Sequence, residues 1–386
     1  MQAYNNTGLY NKYVHEQASE AFHNKGIPAE TYDKIAAAHP VNLYTPNYFI
    51  RIALGVLSIV AVLFSMLLVW LITGASGEGG IIALFVISAL LCYTALELFV
   101  RSKQYYNAGI DNILMLSVIT CMLSAFLIND FTNSYIITSG FMMLLCLWLC
   151  IRFTDAFMAV LSYCSLVMLL FFICMKMGDL GRAVIPFILM ITSAGVYFIM
   201  KKLLNKQRLL FYSFCLRSVL FFSLLTFYAA GNYLIIIELS KQLFKSSAAG
   251  NAIPLNWLFW IFTIVIPPLY VIWGILKKDL LFIRTGLGLL ATTIFTLRYY
   301  GYPSWPGEIE MLVIGMVLIT KCYVLIKYLH TPKLGFSFEK DAYNDNHLRN
   351  VEALIIAQTF GKKAVESKGF EFGGGSSGGG GATGDY

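Results

Sequence analysis

The chain is divided by apolar runs of about 20 residues, the length a helix needs to cross a hydrocarbon core roughly 30 Å thick. About ten qualify, at 52–72, 81–100, 112–128, 134–151, 156–175, 184–200, 218–237, 257–276, 281–297 and 309–329. They are continuously apolar, whereas the strands of a membrane barrel alternate apolar and polar residues over about ten positions. The expectation is an all-α polytopic transmembrane helical bundle of about ten spans. The third and fourth runs are short and joined by the tight turn Asn129–Ser134. Either they cross, or they form a shallow hairpin and leave about eight spans. Composition agrees: 58% of the 386 residues are hydrophobic and 13% charged, against roughly 25% charged in a soluble domain. A single soluble domain and a disordered chain are both excluded.

The net charge of +7 is unevenly placed. With alternating loops, one side holds Arg51, Arg101, Lys103, Arg152, Lys201, Lys202, Lys206, Arg208, Lys277 and Lys278, together with the basic residues of both termini. The other holds Lys176, Arg182, Lys241, Lys245 and Arg298. A bias of about four to one marks the first side as cytoplasmic. Both termini then lie in the cytoplasm, as an even span count requires. Trp148 and Trp273 fall near inner span ends, and Trp70, Trp257 and Trp305 near outer ends, where an amphipathic ring settles. The basic residues are dispersed over short loops, which points away from nucleic acid. The densest cluster, Lys201 to Arg208, suits orientation or anionic lipid head groups.

Two appendages flank the bundle of 48–330. Residues 1–47 read as a helical hairpin: a first helix near 9–24, Gly26 at its C-terminal cap, Pro28 in the first turn of the next helix, and a stop at His39-Pro40. So short a unit buries little surface alone and should dock on the bundle or on a partner. Residues 331–369 form a second cytoplasmic segment, with an amphipathic helix near 346–366. Residues 370–386 are a flexible Gly/Ser-rich tail by composition.

The chemistry expected inside the membrane is sparse. The eight cysteines lie in or beside spans and read as small apolar packers. Cys146 and Cys150 share a helical face but have no histidine or carboxylate beside them. The five histidines lie outside the hydrocarbon core. No catalytic residue, metal or cofactor is expected. Six positions stand out as functional polar or kink sites. Glu97 lies one turn inside its span, four residues before Arg101, so the two can pair along one face. Lys321 lies deeper, either snorkelling to the interface or reaching Glu97. Pro267 and Pro268 sit together mid-span, where proline removes backbone donors and should kink or break the helix. The carbonyls of Thr263 and Ile264 then need partners, and Asn232, Thr292, Thr293 and Thr296 are the polar neighbours at hand. Gly286 and Gly288 suit close helix approach.

The tail, FEFGGGSSGGGGATGDY, resembles the Gly/Ser-rich ending of several bacterial membrane proteins, TPM-domain proteins among them. In those the run follows a last span on the cytoplasmic side. No TPM domain is present, so the resemblance implies no activity. The front of the chain, with Gly26, Ile27, Pro28 and Glu30 in its turn, is similar in layout to uncharacterised bacterial polytopic membrane proteins whose short hairpin precedes many spans.

These readings lead first to a structural or interaction component of a bacterial inner-membrane complex. It would contact the bilayer, engage a protein partner through 1–47 and 346–386, and could form a homo-oligomer. The alternative is a transporter or channel for a small solute or lipid, using a helix broken at Pro267-Pro268; it requires a cavity there. An intramembrane enzyme is third.

Overall fold

The computed structural model describes residues 3–23, 26–41, 43–128, 134–244 and 256–300, with Leu312, Gly315, Met316, Ile319, Thr320, Tyr323 and Lys327. The chain is all α, with no strand among the described residues: α1 (Asn6–His23), α2 (Ala29–Ala38), α3 (Tyr48–Thr73), α4 (Gly77–Lys103), α5 (Ile110–Ile128), α6 (Ser134–Phe153), α7 (Ala156–Met175), α8 (Asp179–Leu204), α9 (Ser213–Gly231), α10 (Tyr233–Phe244), α11 (Asn256–Lys277) and α12 (Leu280–Tyr300). Among these residues nine helices are long and apolar enough to cross a membrane, α3 to α9 together with α11 and α12. The chain is a multi-pass membrane protein. The tenth expected span, at 309–329, and everything after it lie outside the described residues, apart from the seven positions named, which are helical where assigned.

The third and fourth spans are long and apolar enough to cross rather than dip. With 19 and 20 residues, α5 and α6 each extend roughly 30 Å. The clearest difference from the sequence reading lies at the seventh span. It covers Leu209–Gly231 rather than 218–237, entering through a 3₁₀ turn at Gln207–Tyr212. It ends at Asn232, whose backbone turns extended (ψ 127). Residues 233–237 belong instead to α10, whose 12 residues reach only about 18 Å and cannot cross.

Helix ends follow local chemistry. Gly74 adopts the left-handed conformation after α3 (φ 56), and its N–H bonds the Trp70 carbonyl at 2.9 Å. The Asp155 carboxylate caps α7 by accepting from the Met158 N–H at 2.9 Å. Before α5, the buried Asp111 carboxylate accepts from the N–H groups of Asn107, Ala108 and Gly109 at 2.7, 2.9 and 3.1 Å. This turn needs Gly109: its φ is +94, and a Cβ there would stand 2.2 Å from the Arg51 carbonyl oxygen.

Among the described residues packing forms three clusters, each of which draws on α9. One lies among α4 to α7, around Leu96, Met115, Leu149 and Met158, and includes Cys92, Cys146, Cys150 and Cys215 as apolar packers. The two smaller ones join helices among α8, α9, α11 and α12, one around Met190, Ile266 and Leu289 and the other around Leu224 and Phe282. Lipid is as apolar as these side chains, so close contact rather than water exclusion holds such helices together. The α11–α12 pair shows this: a Cβ on Gly274 would lie 2.8 Å from the Ile283 nitrogen, and one on Gly286 2.9 Å from the Val271 nitrogen. Gly286 thus serves the close approach expected of it, whereas Gly288 meets nothing within 4 Å.

Side-chain and backbone bonds show that the basic loops share one end of the bundle. The Ala3 N–H bonds the Arg152 carbonyl at 2.9 Å, and the Tyr4 hydroxyl bonds the Tyr105 carbonyl at 3.0 Å. The Arg51 guanidinium bonds Asn107 at 3.2 Å, and the Tyr212 hydroxyl bonds the Ile151 carbonyl at 2.6 Å. Lys201 and Asp279 pair at 3.6 Å. The junctions α2–α3, α4–α5, α6–α7, α8–α9 and α11–α12 are therefore co-located, and we call this the basic end.

The N-terminal hairpin docks on that end. Within it, Phe22 stacks on Tyr32 (5.2 Å) and His15 meets Tyr32 edge-on (5.6 Å). Against the bundle, Tyr4, Leu9 and Leu43 are buried. The Lys12 ammonium lies 3.8 Å from the Tyr106 ring centroid, and Tyr44 exchanges backbone bonds with Gln104 and Tyr106. In contrast, α2 has no buried residue.

Candidate functional site

Two polar centres collect the residues singled out in the sequence. The first lies between α4 and α6 near the basic end. Tyr93, Glu97 and Arg101 are spaced four apart on α4, and Trp148 and Arg152 four apart on α6, so each set forms a ladder on one helical face. The rungs meet. Trp148 donates its indole N–H to the Tyr93 hydroxyl at 3.2 Å. Glu97 accepts from Arg101 Nε at 3.0 Å and Nη2 at 2.8 Å. From the other helix Arg152 Nη2 bonds the same Oε1, and Arg152 Nε reaches Oε2 at 3.4 Å. The side chains of Glu97 and Arg152 are 17% and 15% exposed, that of Arg101 67%. One carboxylate therefore faces two guanidinium groups.

The local Glu97–Arg101 pair is the one expected from spacing. Arg152 was counted only as a loop charge, and the structure makes it the interhelical partner. Lys321 lies outside the described residues.

The second centre joins α9, α10, α11 and α12. Pro267 and Pro268 do not break their helix: α11 runs unbroken from Asn256 to Lys277. The break falls instead in the neighbouring segment, at Asn232. Pro267 has no N–H to offer the carbonyl of Thr263, four residues earlier. Thr293 Oγ1 of α12 supplies the donor, at 3.1 Å from that oxygen and 3.0 Å from the Leu289 carbonyl. With its single proton aimed at these carbonyls, Thr293 accepts from the Tyr228 hydroxyl at 2.9 Å. Tyr228 in turn accepts from Asn232 Nδ2 at 2.8 Å, and that amide also reaches Thr296 Oγ1 at 3.4 Å. The Asn232 Oδ1 accepts from the Ile235 N–H at 3.3 Å, capping α10. Thr263 Oγ1 donates to the Phe259 carbonyl at 2.7 Å and accepts from the Tyr233 N–H at 2.9 Å. Tyr228, Asn232, Thr263, Thr293 and Thr296 are all buried, and Pro267 is fully enclosed.

This node sits about 10 Å along α11 from its start at Asn256. It consists of amide, hydroxyl and carbonyl groups that satisfy one another, as buried polar groups at membrane depth must. It fixes these four helices at one point and closes over the proline. Asn232, Thr293 and Thr296 were expected as neighbours of the freed carbonyl; Tyr228 was missed, although it stands one turn before Asn232 on the same face.

At the hairpin interface, burial pushes the Tyr106 hydroxyl up to about 12 and raises Tyr4 as well. Burial holds the Lys12 ammonium below its ordinary value, with Glu16 opposing. Burial also raises the Asp155 carboxyl, against the N–H groups of Met158 and Phe157.

Compared with known proteins, the chain matches no family model, no curated protein and no solved structure.

Proposed function

We propose that the chain is a structural or interaction component of a complex in a bacterial inner membrane, with both termini in the cytoplasm. The observation that carries this reading is the docked hairpin. Ala3, Tyr4, Leu9 and Lys12 attach α1 to the basic end of the bundle, while α2 is held out with no residue buried. A helix fixed at its base and left uncovered suits contact with a second polypeptide. The orientation rests on the basic loops sharing one end. Residues 346–386 would add a second partner surface on the same side.

The transport reading draws on the polar groups gathered beside Pro267. They are bonded to one another and shut in, so passage of a solute would require this node to open.

The test is site-specific photo-cross-linking in native membranes from the exposed positions Thr31 and Ala37 of α2. A discrete adduct containing a second polypeptide, another copy included, is the expected result. Lipid adducts alone at both positions would remove the support for this function.

A further inference from the structure

We propose that the face shared by α4 and α6 at the basic end holds one anionic phospholipid, its phosphate on Arg101. The argument starts from charge. Glu97 carries one negative charge and accepts from two guanidinium groups. Arg152 spends two of its N–H groups on that carboxylate and is enclosed. Arg101 also bonds it, but two-thirds of its side chain remains open. Arg101 thus shares its one carboxylate with a second guanidinium, and it is the arginine that faces outward. Lys103, two residues further along α4, is exposed as well.

The surface below this charge is apolar and lies at membrane level. One turn deeper, the half-exposed Trp148 ring is tied to Tyr93, the arrangement of an amphipathic ring at the boundary between head groups and acyl chains. Beyond it Leu90, Leu144 and Leu147 are open. An occupant that fits both parts carries a phosphate and a hydrocarbon chain. A guanidinium takes a phosphate through two parallel N–H bonds. A zwitterionic lipid would bring its own cation against the outward guanidinium, whereas an anionic lipid brings only negative charge. In the basic cluster that begins at Lys201, that lysine is already engaged: its ammonium bonds the Tyr197 hydroxyl at 3.0 Å and pairs with Asp279.

The site also lies beneath the hairpin, because the Arg152 carbonyl receives the Ala3 N–H. A lipid that steadies Arg101 and Glu97 steadies the residue on which the N-terminal segment docks.

The test is native mass spectrometry of the full-length protein, stripped of lipid in mild detergent and offered phosphatidylglycerol or phosphatidylcholine at equal concentration. The wild type should keep one phosphatidylglycerol where it keeps no phosphatidylcholine. Arg101→Gln should lower that retention about fivefold, and Arg101→Lys, which keeps the charge but loses the fork, about twofold. Lys202→Gln with Lys206→Gln should leave it unchanged, as should inorganic phosphate added at the lipid concentration. Equal retention of the two lipids, unchanged retention in both Arg101 variants, or displacement by inorganic phosphate would overturn the proposal.

Discussion

The two polar centres solve the same problem with different chemistry. At the basic end, α4 and α6 are bridged by full charges: Glu97 between Arg101 and Arg152. Beside Pro267, α9, α11 and α12 are joined by neutral groups alone: Tyr228, Asn232, Thr263, Thr293 and Thr296. The difference follows from depth. Near the interface a charge can keep one edge in polar surroundings, as the open Arg101 does, so its desolvation is incomplete. Inside the hydrocarbon a charge is far more costly, and a proline-freed carbonyl is answered more cheaply by a hydroxyl. The basic end thus holds strong, breakable links. The node holds weak ones that work together.

The sharpest way to break this contrast is to remove the shared charge. Glu97→Leu takes this carboxylate away from Arg152, whose side chain is only 15% exposed, and about 3 kcal/mol of stability should be lost. Arg152→Leu in that background should recover most of it, because the desolvated guanidinium goes too. Arg101→Gln, at an open side chain, should cost under about 1 kcal/mol. Thermal unfolding in detergent reads all three. Equal losses for Glu97→Leu and Arg101→Gln would show that Arg152 is not the residue that needs the carboxylate.

How much of this was legible in the sequence depended on range. Spans were readable because bilayer thickness sets their length: 156–175 was placed as α7 occurs, Ala156–Met175. The seventh span was misplaced because the apolar run YLIII continues past Gly231-Asn232, although a Gly-Asn step is itself a helix-stop signal. Glu97 and Arg101 were legible from their spacing on one helix. Arg152 was not, since nothing local says that α6 faces α4 through Glu97. Pro267 and Asn232 were each visible as exceptions in an apolar chain. That one helix stays whole because a threonine of another replaces the missing donor is a tertiary fact.

The node offers a smaller but more selective test. Thr293→Val removes the donor to the Thr263 carbonyl and should cost about 1 kcal/mol, in keeping with modest side-chain bonds inside membranes. In a Pro267→Ala background residue 267 regains an N–H, which can bond the Thr263 carbonyl along the helix. Thr293→Val should then cost measurably less. An identical cost in both backgrounds would mean that Thr293 serves Tyr228 or Leu289 rather than the carbonyl the proline freed.

The smallest expected effect concerns the hairpin, which depends on groups that titrate. Burial disfavours the charged form of Lys12 when α1 is docked, so the released hairpin binds more protons below the ordinary value of 10.5. Docking should therefore strengthen as pH rises toward 10.5. For Tyr106 and Tyr4 burial disfavours the phenolate, so the docked state holds the protons longer. Their contribution is complete below the ordinary value of 10 and is lost as pH climbs toward about 12 for Tyr106. Protease sensitivity of the segment joining α1 to α2, followed against pH, should pass through a minimum between these limbs. Lys12→Met should flatten the lower limb and Tyr106→Phe should delay the upper one. A profile unchanged by either variant would place the hairpin's attachment in the contacts that neither change touches, those of Ala3, Tyr4, Leu9, Leu43 and Tyr44, and the charged and uncharged modes of holding this bundle would then divide within the basic end itself.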